Sequence, residues 1–269
     1  MIKGVKHIIA VASGKGGVGK STVTANLALA LAASGAKVGV LDADIYGPSQ
    51  ALLFGVGDAR VQSPDQKHFQ PIEALGIQLM SMAFLVDEHT PMVWRGPMVS
   101  GAFQQLLTQT AWQDLDYLLI DMPPGTGDIQ LTLAQRVPVS GAVIVTTPQD
   151  LALLDARKGI EMFRKVKVPV LGIIENMSLH TCSQCGHTEA IFGSGGGEQV
   201  AETYQAPLLG QLPLAMSIRL QADQGCPSVL AEPEGLAADT FHHMAAQIVA
   251  ELTQKTQAAT KVQIQFSDD

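Results

Sequence analysis

The chain has 269 residues, 46% hydrophobic and only 16% charged, with 26 glycines, 14 prolines and three cysteines. That balance excludes a disordered chain, and a chain this long hides roughly 70–75% of its unfolded surface without needing a disulfide framework. Twenty-five acidic against 17 basic residues leave a formal charge of −8, which speaks against nucleic acid or an anionic membrane as partner. Three cysteines suit a reducing compartment. The longest apolar run, Leu27 to Ala33, is about a third of the roughly 20 residues that a membrane span requires. The start, Met1-Ile2-Lys3-Gly4, runs into strand-like sequence without the pattern of a signal peptide, so a cytoplasmic protein is expected.

In chain order, strands are predicted at His7–Ala12, Lys37–Leu41, Ile77–Met82, Tyr117–Asp121, Ala142–Thr146, Val170–Glu175 and Leu208–Gln211. Their cores are continuous apolar runs, such as Leu118-Leu119-Ile120, which is the pattern of parallel strands buried on both faces. Helix patterns at Lys20–Ala33, Met98–Ala111, Ala152–Val166 and Gly197–Tyr204 lie between them. Alternation of this kind predicts an α/β fold with a doubly wound, mostly parallel sheet and helices on both faces. One domain over residues 1–254 is expected. Asp58–Pro71 reads as a surface loop, and residues 255–269 as a flexible tail with little periodicity. The segment His180–Gly197, with two cysteines, two histidines and five glycines, reads as an insertion within about 178–197.

The first strand leads into Gly14-Lys15-Gly16-Gly17-Val18-Gly19-Lys20-Ser21-Thr22. This matches the phosphate-binding pattern G-x-x-x-x-G-K-[ST], in the strand–loop–helix setting that the pattern demands. Glycines let backbone N–H groups converge on phosphate oxygens, and the helix N-terminus adds partial positive charge. Lys20 is expected on the β- and γ-phosphates and the Ser21 hydroxyl on Mg²⁺. Carboxylates at strand ends point into the crevice where such sheets bind ligands. Asp121 therefore fits a Mg²⁺-holding role, with Asp42 and Asp44 at the end of the second strand. Cys182-x-x-Cys185 reads three ways from spacing alone: a redox pair, half a zinc site completed by His180 and His187, or two incidental thiols. Cys226 is expected to be a buried structural cysteine.

The second loop lysine, Lys15, makes G-K-G-G-V-G-K-S resemble the deviant Walker A motif of the dimeric ATPases that include MinD and ParA. That resemblance implies that Lys15 reaches the partner's nucleotide, that Asp44 orients the attacking water, that Asp42 supports the Mg²⁺ water shell, and that Asn176 and Pro213 contact adenine. Further motifs follow in order: D-A-D-I-Y-G-P-S at Asp42–Ser49, D-M-P-P-G-T-G-D at Asp121–Asp128, E-N-M-S at Glu175–Ser178, the cysteine pair, and F-G-x-G-G-G at Phe192–Gly197. Together, over roughly Val5 to Glu234, they resemble the Mrp/ApbC family of iron–sulfur cluster carrier ATPases. The resemblance implies ATP and Mg²⁺ at the phosphate loop and a labile [4Fe–4S] cluster shared by Cys182 and Cys185 of two protomers. It implies a homodimer as the working unit, with apo iron–sulfur proteins and cluster scaffold proteins as partners. Many bacterial members carry an extra N-terminal domain ahead of the ATPase core; here the core motifs begin at once. The competing functions are a MinD- or ParA-like positioning ATPase and a regulatory ATPase with structural zinc.

Overall fold

A computed structural model describes residues 2–85 and 96–262. Ten strands and nine α-helices are assigned among them. In chain order they are β1 (Val5–Ala12), α1 (Lys20–Ala33), β2 (Val38–Asp42), α2 (Gln50–Leu53), β3 (Ile72–Ala74), β4 (Ile77–Ser81), α3 (Gly96–Gln109), β5 (Leu115–Asp121), α4 (Asp128–Arg136), β6 (Gly141–Thr146), α5 (Asp150–Lys165), β7 (Val170–Glu175), β8 (His180–Thr181), β9 (Thr188–Glu189), α6 (Gly196–Tyr204), β10 (Leu208–Gln211), α7 (Met216–Asp223), α8 (Ser228–Ala231) and α9 (Leu236–Val262).

Eight strands form one sheet in the order β10-β7-β6-β1-β5-β2-β4-β3, and β8 pairs only with β9. Every pairing in the large sheet is parallel except the β3–β4 edge. The doubly wound α/β sheet expected from the apolar runs is therefore present. All residues of β2 and of β6 are buried. Side chains alternate between faces along a strand, so an unbroken buried run means that both faces are covered. Helix α1 is buried at ten of its 14 positions, which is why its sequence is rich in Ala and Leu all round instead of along one stripe.

The differences lie at the sheet edge, in the short elements, and in α4 and the 27-residue α9, which were not among the expected helices. β3 is three residues long and antiparallel, too short to carry a pattern. Residues 58–71 hold only isolated bridges, as a surface loop should. Helix α9 continues past Lys255 to Val262, into the segment where a flexible tail was expected to begin; residues 263–269 lie outside the described residues. Among the described residues, no helix is long and apolar enough to cross a membrane.

Candidate functional site: a phosphate loop and a cysteine hairpin

Strand order brings the motif residues together. β5 lies between β1 and β2, so Asp121 stands beside Asp42 in the β2–β5 register and beside Val11, just ahead of the phosphate loop. The loop then crosses to α1. Gly19 sits at φ 83, and a Cβ there would overlap the Asn176 amide, so neither the backbone nor the space admits another residue. Gly14 is closed off by the backbone of Asp155 in α5. Gly16, Gly17 and Lys15 are exposed, and Val18 is buried.

Lys20 and Asp121 are both buried, and the Lys20 ammonium donates to Asp121 Oδ1. It also lies 3.4 Å from Ser21 Oγ. Thr24 Oγ1 approaches the same carboxylate oxygen at 3.3 Å. The other oxygen, Oδ2, accepts from Gln50 Nε2 at 2.8 Å, and that same nitrogen donates to the Ser21 carbonyl at 3.0 Å. Gln50 is fully buried, and its Oε1 has no hydrogen-bond partner among the described residues. Nothing in the sequence pointed to Gln50, because a glutamine after a Pro-Ser turn has no distinctive signal.

Asp42 is buried as well. Its Oδ2 accepts from the N–H groups of Ser49 (2.9 Å) and Gln50 (3.0 Å) and from Ser81 Oγ (3.3 Å), while Oδ1 accepts from the Asp44 N–H (3.2 Å). The carboxylate thus ties down both ends of the loop between β2 and α2. Burial, with Asp121 next to it, pushes its pKa up to about 7 against the pull of those N–H donors. Asp44 is half-buried and its Oδ1 accepts from the Gly47 N–H at 3.2 Å, which shapes the exposed Tyr46–Gly47 turn.

A cavity of about 500 Å³ opens beside the loop. Its walls include Gly19, Ser21, Thr22, Asn176, Pro213 and Leu214. Asn176 and Pro213 therefore share one pocket with the phosphate loop. The Asn176 side chain also donates to the Val18 carbonyl at 2.9 Å, and so braces the loop from behind.

The cysteines form a separate feature. β8 and β9 are a two-residue hairpin whose turn is closed by Cys182 N–H to His187 C=O (2.8 Å) and Gly186 N–H to Cys182 C=O (2.9 Å), with Gly186 at φ 72. Cys182 is half-buried and Cys185 exposed, and both are free thiols. The N–H groups of Cys185 and Gln184 converge on the Cys182 sulfur, so its pKa is lowered, chiefly by the Cys185 N–H. His180 Nδ1 is engaged 3.0 Å from the Leu214 carbonyl. No cluster of three or more His, Cys, Asp or Glu able to hold a metal ion occurs among the described residues. Cys226 is half-buried, not the buried cysteine expected.

A family model described as ParA, a NUBPL iron-transfer P-loop NTPase, matches residues 4–249. The iron–sulfur cluster carrier protein of Pseudomonas fragi is 68% identical over 242 residues, covering 90% of this chain and 84% of that one. The iron–sulfur cluster transfer protein NUBPL of Mus musculus is 51% identical over 253 residues, 93% and 79% of the two chains. Among solved structures, a nucleotide-binding protein from Archaeoglobus fulgidus in complex with ADP is 40% identical with a TM-score of 0.75, covering 88% and 92%. The cell division ATPase MinD of Pyrococcus furiosus shares the fold, with a TM-score of 0.68 at 24% identity over 91% and 98% of the two chains. A model that runs from residue 4 to residue 249 and relatives above half identity over nine-tenths of the length agree: the chain belongs to the NUBPL-type family of iron-transfer P-loop NTPases, enzymes that hydrolyse nucleoside triphosphate.

Proposed function

We propose that this protein is an ATP-hydrolysing carrier that holds a labile [4Fe–4S] cluster between two protomers and passes it to apo iron–sulfur proteins. The observation that carries the reading is the open cysteine hairpin: two thiols at ligand spacing, with no third metal-binding group beside them among the described residues. Such a cluster typically takes four thiolates. A symmetric pair of chains, with the same patch of each facing the other across a two-fold axis, supplies them. Among the described residues no third or fourth ligand joins the two thiols, so a closed four-ligand zinc site within one chain is not assembled.

At the phosphate loop the residues take the following roles. Lys20 leaves Asp121 for the β- and γ-phosphates, while the loop N–H groups from Gly14 to Thr22 cradle the phosphate oxygens. Ser21 Oγ and the Asp121 carboxylate are the oxygen donors for Mg²⁺, and the orphaned Gln50 Oε1 beside them suits the water shell of a hard cation. Mg²⁺, when bound, neutralises charge on the phosphates. Asp42, expected in the Mg²⁺ water shell, has both carboxylate oxygens engaged by the β2–α2 loop and Ser81, and acts one step back by holding the loop that carries Asp44. Asp44 orients the attacking water. Adenine lies in the cavity between Asn176 and Pro213. Lys15, exposed and in no ion pair among the described residues, reaches the nucleotide of the second protomer. That protomer, apo iron–sulfur proteins and scaffold proteins are the partners, in the cytoplasm.

The test is metal content after anaerobic reconstitution. About four iron per dimer, lost in the Cys182→Ser and Cys185→Ser proteins and kept in Cys226→Ser, is expected. Stoichiometric zinc with no reconstitutable iron, or iron retained when both Cys182 and Cys185 are replaced, overturns the carrier reading.

A further inference from the structure

The nucleotide cavity and the cysteine pair are joined by a single short stretch of backbone. Asn176 and Cys182 are six residues apart, a reach of at most about 20 Å. At its first residue, Asn176 is fastened to the phosphate loop through Val18 and packs where Gly19 lacks a side chain. Met177 follows, in the cavity wall, at φ 58. A non-glycine residue keeps that conformation only where its surroundings impose it.

The next three residues are fastened to the segment from Leu212 to Leu214. Ser178 donates to the Leu212 carbonyl from both its N–H (2.9 Å) and its hydroxyl (3.0 Å). The Leu214 N–H donates to the Leu179 carbonyl at 2.8 Å, and the Leu214 carbonyl faces His180 Nδ1 at 3.0 Å. Pro213 and Leu214 line the cavity. His180 is therefore the last tie to the cavity wall before the turn that carries Cys182 and Cys185. Past it, the exposed hairpin is held by its own hydrogen bonds and by β8–β9 pairing alone among the interactions described for it.

We propose that His180 is a positioning residue that couples nucleotide occupancy of the cavity to the shape of the cysteine turn. A nucleotide that fills the cavity immobilises Leu214, and the His180 ring then holds the Cys182–Cys185 turn in one conformation. An empty cavity frees Leu214 and loosens the turn. By thermodynamic reciprocity, whatever is held by the two thiols changes nucleotide affinity by the same factor. The inference rests on the carrier reading for its biological use, but its physical content concerns the metal-free protein. Spatial continuity alone is not coupling, so the test measures coupling directly.

Amide hydrogen exchange is followed in metal-free protein with and without Mg·ADP. Exchange across the Cys182–Gly186 turn is expected to slow by about threefold or more with ADP, together with the phosphate loop. In His180→Ala, ADP should still protect the phosphate loop while the turn becomes indifferent to it. His180→Asn, whose amide can still donate to the Leu214 carbonyl, should restore the effect. Should His180→Ala not fold, His180→Phe, which keeps the ring bulk without the donor, against His180→Asn makes the same comparison. A turn whose exchange ignores ADP in the parent protein overturns the inference. So does equal ADP protection of the turn in the donor-free variants. Iron binding with an indifferent turn would leave the carrier reading standing and remove the coupling. A responsive turn in a protein that takes up no iron would do the reverse.

Discussion

Asn176, at the exit from β7, braces the phosphate loop and stands six residues ahead of Cys182 in the cysteine hairpin, yet the two regions are built on opposite terms. Around the loop, Lys20, Asp42, Gln50 and Asp121 are all buried, and each is hydrogen-bonded to another element of the fold. At the hairpin, two-residue strands present one exposed and one half-buried thiol, held by a turn of their own making. Within one chain the first region is close to complete, and the second, on the proposed carrier reading, supplies half of a site. A buried charge network enforces one geometry before ligand arrives, whereas an exposed ligand pair leaves its metal accessible to a recipient. A carrier needs both properties, and it keeps them apart.

The comparison breaks first at Lys20. Lys20→Ala should abolish nucleotide binding, read by calorimetric titration with Mg·ATP. It should also destabilise the nucleotide-free protein by about 3–5 kcal/mol, because buried Asp121 loses its ammonium partner. Denaturant unfolding without nucleotide measures this, and an unchanged midpoint would show that the pair is not held in solution.

A smaller effect sharpens it through pH. Asp42 has its pKa raised from 3.8 to about 7 in the fold, so between those values the folded protein binds more protons than the unfolded chain. Stability of the nucleotide-free protein should therefore fall as pH rises from about 4 to about 7 on this group's account. Asp42→Asn, which cannot titrate, should flatten that slope in pH-dependent unfolding. An equally steep slope in Asp42→Asn would assign it to other groups.

The smallest effect is expected at the hairpin. Cys182→Ser and Cys185→Ser should change stability by less than about 0.5 kcal/mol, since an exposed turn contributes little to the core. Melting temperatures within error of the parent, alongside lost iron, would place the whole consequence of these residues in function. A loss as large as that in Lys20→Ala would mean that the hairpin is integral to the fold.

Much of the molecule was legible in the residues. The apolar runs at Leu118–Ile120 and Ala142–Val145 marked buried parallel strands because only strands covered on both faces can afford no polar positions. The phosphate loop was legible because its chemistry demands glycines and a lysine at fixed spacing, and the cysteine pair because two of three cysteines lie three apart. α2, β3 and the short helices α7 and α8 were not, since four to eight residues, or three in a strand, hold too little periodicity to stand out.

What the sequence determined by itself was local: which residues carry phosphate, carboxylate and thiol chemistry, and that the chain is an α/β sheet protein. Sequence order could not place Asp121 between the loop and Asp42, because β5 enters the sheet between β1 and β2, which precede it in the chain. Nor could it find Gln50, whose role comes from a carboxylate 71 positions away, or the hydrogen bond that joins His180 to Leu214 across 34. Those contacts depend on crossover connections and side-chain packing, which bring together residues whose own neighbours in the chain carry no trace of the meeting.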